Sequence, residues 1–121
     1  MDATALDEWG HFHDWYFDTV AVGPNEEPRA LKLGLYLGHR RATVTFEGVT
    51  CFHLGRFGLL NIVYSLRLLT PTDKDFARVT AELNQGERLS ARRGANVACL
   101  YSTLGAELAV EFDSLKIGTN G

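Results

Sequence analysis

The sequence predicts a mainly β domain carrying one amphipathic helix. Three observations lead there. Short runs of alternating apolar and polar residues recur, as in Leu31-Lys-Leu33-Gly-Leu35-Tyr-Leu37 and Glu107-Leu108-Ala-Val110-Glu-Phe112. Glycines at 34, 38, 48, 55 and 58 divide that part of the chain into segments shorter than most helices. Only one stretch, 73–85, repeats apolar residues at helical spacing. The expected architecture is a single antiparallel β-sheet or sandwich over residues 1–121, with an α+β layout as the open variant.

In chain order, a short helix is expected around Thr4 to Trp9. The aromatic-rich run from His11 to Val22 then leads into a strand, and Pro24, Asn25 and Pro28 make a loop. Leu31 to Leu37 is a strand with its four leucines on one face. After a Gly38-His39 turn, Arg41 to Glu47 is a second, with Val44 and Phe46 inward and Thr43, Thr45 and Glu47 outward. Val49 to Leu54 is a third, followed by the Gly55-Arg-Phe-Gly58 loop. Leu60 to Leu69 reads as a strand from its β-branched Ile62-Val63 pair and the alternation Ile62, Tyr64, Leu66, Leu68, and Pro71 ends it. Thr72-Asp-Lys-Asp75 resembles a capping box, Phe76, Val79 and Leu83 form the helical stripe, and Gly86 stands where a C-cap belongs. Residues 87–92 carry no clear pattern. Asn96 to Ser102 and Ala106 to Asp113 are the last strands, the latter with Leu108, Val110 and Phe112 on one face and Glu107, Ala109, Glu111 and Asp113 on the other.

Composition is that of an ordinary globular chain: 121 residues, 45% hydrophobic and 22% charged. No apolar run approaches membrane-spanning length, and the first residues lack the pattern of a signal peptide. Cys51 and Cys99 are too few for a disulfide framework and read as reduced and buried, so a cytoplasmic setting without a membrane is expected.

The charge is sorted along the chain. Seven acids and no Lys or Arg fall in residues 1–27, eleven of the twelve Lys and Arg in 28–104, and Glu107, Glu111 and Asp113 against Lys116 in the last stretch. The net charge of −3 disfavours general nucleic-acid binding, which needs a surplus of cations. Sorted acids favour a basic macromolecular partner.

Several segments carry a resemblance. Phe12-His13-Asp14 precedes an aromatic-rich strand. Val44-Thr45-Phe46-Glu47-Gly48-Val49, Asn61-Ile62-Val63 and Tyr101-Ser102-Thr103-Leu104-Gly105-Ala106-Glu107 follow in that order. Together they resemble a family of small bacterial immunity proteins with an N-terminal Phe-His-Asp signature, from polymorphic and contact-dependent growth-inhibition toxin systems. The resemblance implies a cytoplasmic protein that binds and neutralises a cognate toxin C-terminal domain.

The residues expected to carry that contact are the acids Asp14, Asp18, Glu26, Glu27, Glu107, Glu111 and Asp113, acting on a basic nuclease, with Trp9 and Tyr16 as aromatic anchors. If the chain's two ends lie side by side, the acidic patches merge. A solvated outer face is the plainer reading of the same acids. A homodimer is compatible with the pattern, and no cofactor is expected.

Other chemistry has weaker support. His11-Phe-His13 and Cys51-Phe-His53 would make a tetrahedral N/S set if their strands paired, yet histidines among aromatics are more often hydrogen-bonded at a core edge, so no metal is expected. His13-Asp14 lacks a matched nucleophile, and Asp14 reads as an acceptor of backbone N–H groups; no catalytic residue is assigned and the chain is read as a non-enzyme. No glycine run forms a phosphate loop. The alternative reading is a nucleic-acid- or ligand-binding β module using the Arg-rich middle segment, with Arg40-Arg41 near Tyr36 and Arg92-Arg93 near Tyr101.

Overall fold

The computed structural model describes residues 4–24, 29–86, 88 and 90–119. Helix α1 (Thr4–Glu8) and a 3-10 turn (Gly10–Phe12) open the chain. Strands β1 (Tyr16–Val22), β2 (Ala30–Leu37), β3 (Arg40–Glu47), β4 (Cys51–Gly55) and β5 (Ile62–Leu69) follow. Helix α2 (Phe76–Asn84) then precedes β6 (Asn96–Leu104), β7 (Glu107–Phe112) and β8 (Ser114–Thr119). The fold is mainly β, with all eight strands in one antiparallel sheet of order β4-β7-β6-β5-β1-β2-β3-β8.

That order hides a corner. β3 and β4 are one run of chain bent at residues 48–50, and β7 and β8 are another bent at Asp113. The two runs pair with each other on both sides of the bend, through Glu47↔Ser114 and Cys51↔Glu111. The Asp113 N–H donates to the Glu47 carbonyl at 2.9 Å and the Thr50 N–H to the Glu111 carbonyl at 3.0 Å. Gly48 makes the turn at φ +65, with the Asp113 side chain where a Cβ would stand. On the far side β1 meets β5 only near its start, at Tyr16↔Ile62. The sheet thus folds over one core.

The core follows the sequence alternation. Leu31, Leu33 and Leu35 of β2, Val44 and Phe46 of β3, and Leu108, Val110 and Phe112 of β7 are all at most 2% exposed. Phe46 and Phe112 meet edge to face with ring centroids 4.8 Å apart. The fourth leucine, Leu37, runs past the core and is exposed. Thr45, expected outward, is buried between its register neighbours Lys32 and Lys116, whose long stems flank it.

α2 lies on the outer face of β4 and β7. Val79 and Leu83 pack on Cys51, Leu69 and Ala109, and the small Ala109 leaves room for the helix. Burying those two side chains contributes about 2 kcal/mol each. The Cys51 thiol donates to the Leu83 carbonyl at 3.1 Å, and burial raises its pKa.

Three expectations need correction. The capping box does not form: α2 starts at Phe76 without a side-chain cap, because Asp73 and Asp75 are drawn to Arg67 at 2.9 and 2.7 Å. The even alternation in β5 breaks where Tyr64 is bulged out between Val63↔Ser102 and Ser65↔Tyr101, so Val63 and Leu66 are the core residues. The chain also continues past Asp113 into β8, whose Leu115 and Ile117 pack against the core. The patternless stretch is partly described, and its Arg88 has a defined partner.

Candidate functional site

The acids expected to form an open strand face do not do so. Glu111 is 7% exposed and receives the Arg88 guanidinium on both oxygens, at 2.6 and 3.1 Å. Its Oε1 also accepts from the Gly94 N–H at 3.0 Å and from the Thr50 hydroxyl. Burial opposes the Glu111 charge, but the bonds from Arg88, Thr50 and Gly94 outweigh it and hold the carboxyl below its ordinary value. This cluster pins the segment after α2 across β7, which covers the face that alternation assigns to solvent. Asp113 lies at the corner, outside the strands, where Arg92 donates to it at 2.7 Å. Glu107 is half-buried at the start of β7 opposite Gly55.

The acids near the N-terminus separate as well. Asp18 takes Arg41 on Oδ2 at 2.6 Å, and that bond lowers its pKa. The Asp14 side chain is exposed; its backbone N–H, rather than its carboxylate, joins the sheet by donating to the Val63 carbonyl at 2.8 Å. Asp18 reaches the first residues of β3 through Arg41, while Asp113 sits at the last, so the two acidic regions do not merge. Glu26 and Glu27 lie outside the described residues.

The His-x-His pair is built for another purpose. Past β1's brief pairing with β5, the carbonyls of Tyr64 and Leu66 would stand unpaired on the β5 edge. The Nδ1 atoms of His13 and His11 meet them at 2.8 and 3.0 Å. Two side chains thus continue, in antiparallel order, the ladder that β1 leaves unfinished. Cys51 and His53 pair with β7 instead, so the two halves of the imagined metal set never meet. His13 Nε2 stands 3.6 Å from Asp14, beyond hydrogen-bond range. Trp9 joins a packed cluster, stacked on Phe12 at 5.4 Å and edge-on to Trp15 at 5.5 Å, with Arg40 over both indoles.

Tyr16 leads to a surface where exposed apolar side chains gather. It stacks on Tyr36 with centroids 5.1 Å apart. Cross-strand register extends this into an outward row over five strands, Leu104, Ile62, Tyr16, Tyr36 and Arg41. Arg41 lies over the Tyr36 ring at 5.2 Å while pairing with Asp18. The loop after β4 adds Phe57, Leu59 and Leu60, which with Tyr16, Tyr36 and Asp18 line a groove of about 250 Å³. Tyr64 and Tyr101 continue the surface, 6.3 Å apart. Phe57, Leu59, Leu60, Tyr64, Tyr101 and Leu104, six of the exposed large hydrophobic side chains among the described residues, belong to this surface.

The loop is held in place. Buried Asn61 uses its full hydrogen-bonding capacity: Oδ1 accepts from the Gly58 and Ala106 N–H groups at 3.0 Å each, and Nδ2 donates to the Gly58 and Phe17 carbonyls at 3.0 and 3.1 Å. Phe57 packs on Phe17 at 5.2 Å. Gly105, at φ +94, lets the next turn close directly over Asn61. Leu59 is left wholly exposed at the tip of a supported loop. The chain matches no protein-family model, curated protein or solved structure.

Phe57, Leu59, Leu60 and Leu104 went unrecognised in the sequence because each sits beside a strand end, where apolar residues ordinarily read as core. The available signal was the pair Leu59-Leu60 inside a segment bounded by Gly58 and Asn61.

Proposed function

We propose that this chain is an immunity-type binding protein that neutralises a toxin domain by covering it with the apolar-aromatic end of its sheet. The observation that carries the reading is the supported loop with Leu59 outermost, set beside the outward row of Tyr16, Tyr36, Ile62 and Leu104. Tyrosines and exposed apolar residues grouped in one patch are the composition of interface hot spots. The Phe12-His13-Asp14 resemblance supplies the partner class.

Asp14 and Glu107 flank this surface without a Lys or Arg partner among the described residues, and the chain's net charge is −3. Both favour a basic toxin domain such as a nuclease, although Arg56 stands at the same end. In this reading the acids steer and the apolar surface anchors. The test is co-expression with the C-terminal domain encoded immediately upstream, followed by a growth assay and pull-down. Restored growth with a 1:1 complex supports the proposal. A domain that is harmless, or whose toxicity this chain does not relieve, defeats it.

A further inference from the structure

A second groove, of about 450 Å³, opens on the outer side of β5 and β6 beside the N-terminal half of α2. We propose that it is a ligand site for a planar aromatic anion of mononucleotide size. Its volume falls within the range typical of small-molecule sites. The inference is independent of the toxin-binding reading.

The chemistry of the lining selects that class. Tyr64 and Tyr101 form one wall, their rings at 88° to each other, so a flat ring can lie on one face and meet the other's edge. Both are about half exposed and neither hydroxyl has a hydrogen-bond partner among the described residues. Arg67, Lys74 and Arg78 form the opposite wall, with Asp75 the only carboxylate in the lining.

Asp75 is offset by the two arginines beside it. Arg67 takes Oδ2 at 2.7 Å, and Arg78 lies 3.8 Å from Oδ1. Arg67 is further fixed by Asp73 at 2.9 Å and Arg78 by Glu82 at 3.2 Å, both acids standing behind the groove. The arginines are therefore held in place while keeping N–H groups unused. Lys74 has no ion pair among the described residues and is exposed. Apart from Asp75 Oδ1, which the arginines neutralise, the unspent capacity lining the groove consists of ammonium, guanidinium and hydroxyl donors. An acceptor-rich group such as a phosphate fits that wall, and an aromatic ring fits the other.

Within the Arg-rich middle segment, these cations face a groove, whereas Arg92 is committed to Asp113 and the Gly48 carbonyl. The test is a backbone amide NMR titration of the full chain with AMP, adenosine and inorganic phosphate. AMP should shift Tyr64, Ser65, Cys99 and Tyr101 saturably, with adenosine and phosphate each at least about tenfold weaker. Lys74→Ala and Tyr101→Ala, both at exposed positions, should each weaken AMP about tenfold at unchanged Tm. A 5′-phosphorylated trinucleotide binding better than AMP assigns the site to a strand end, and weaker binding assigns it to a free nucleotide; either supports the site. No saturable shift at millimolar AMP, shifts mapping elsewhere, adenosine equal to AMP, or indifference to both substitutions overturns it.

Discussion

Glu111 occupies a position where strand alternation assigns a charge to solvent and tertiary structure encloses it. The bond set from Arg88, Thr50 and Gly94 depresses its pKa below the ordinary 4.5. The native state then binds fewer protons than the unfolded chain as the pH falls through that value, so this stabilisation is present above about pH 4.5 and is lost on acidification through the folded pKa. Glu111→Gln should cost about 2 kcal/mol at pH 7 and less at pH 3. Urea unfolding at both pH values measures it, and an equal loss at the two would show that the charge is not what stabilises. The histidines are the second residue-scale case. His11→Ala orphans the Leu66 carbonyl in a part-buried setting and should cost about 1 kcal/mol. His13→Ala, whose bond is exposed, should cost less, a ranking the same unfolding assay can reverse.

At the scale of elements, α2 was legible because Phe76, Val79 and Leu83 recur at helical spacing and land on a complementary stripe of Cys51, Leu69 and Ala109. Leu83→Ala should destabilise by about 3 kcal/mol, since the helix is tied on both sides and cannot collapse into the void. A loss under 1 kcal/mol in calorimetry would mean that α2 is only loosely seated. The N-terminal boundary was not legible: Thr72 and Asp75 have the spacing of a capping box, and only the fold brings Arg67 to compete for Asp75. β2, β3 and β7 were legible from period-two leucine, valine and phenylalanine. The β5 bulge was not, because register is decided by Ser102 and Tyr101 across the ladder and leaves no local signature. β8 was overlooked although Leu115 and Ile117 alternate, since Gly118 and a short length weaken the pattern. The candidate site was half visible: Tyr16 and Asp18 belong to it, while Glu111 and Asp113 were absorbed into structural pairs with arginines distant in sequence.

At the scale of the molecule, the sorted charge and the apolar end make separate contributions that substitution can divide. Leu59 is fully exposed, so Leu59→Asp should leave Tm unchanged, within about 0.5 kcal/mol of stability. If the loop tip anchors the toxin domain, the same change should slow growth rescue and raise the Kd by a hundredfold or more, chiefly through faster dissociation. Reversing the two acids that flank the surface, Asp14→Lys with Glu107→Lys, should act on the other term. It should slow association and flatten its dependence on salt, with dissociation little changed. Reversing Glu111 would lower stability before it touched affinity, because that charge is already spent on Arg88. Surface plasmon resonance at two salt concentrations separates these outcomes. If Leu59→Asp binds as the parent chain does while the acid reversals abolish binding, electrostatics alone carry the contact and the apolar end is not the anchor. If both leave binding intact, the toxin docks elsewhere on the molecule.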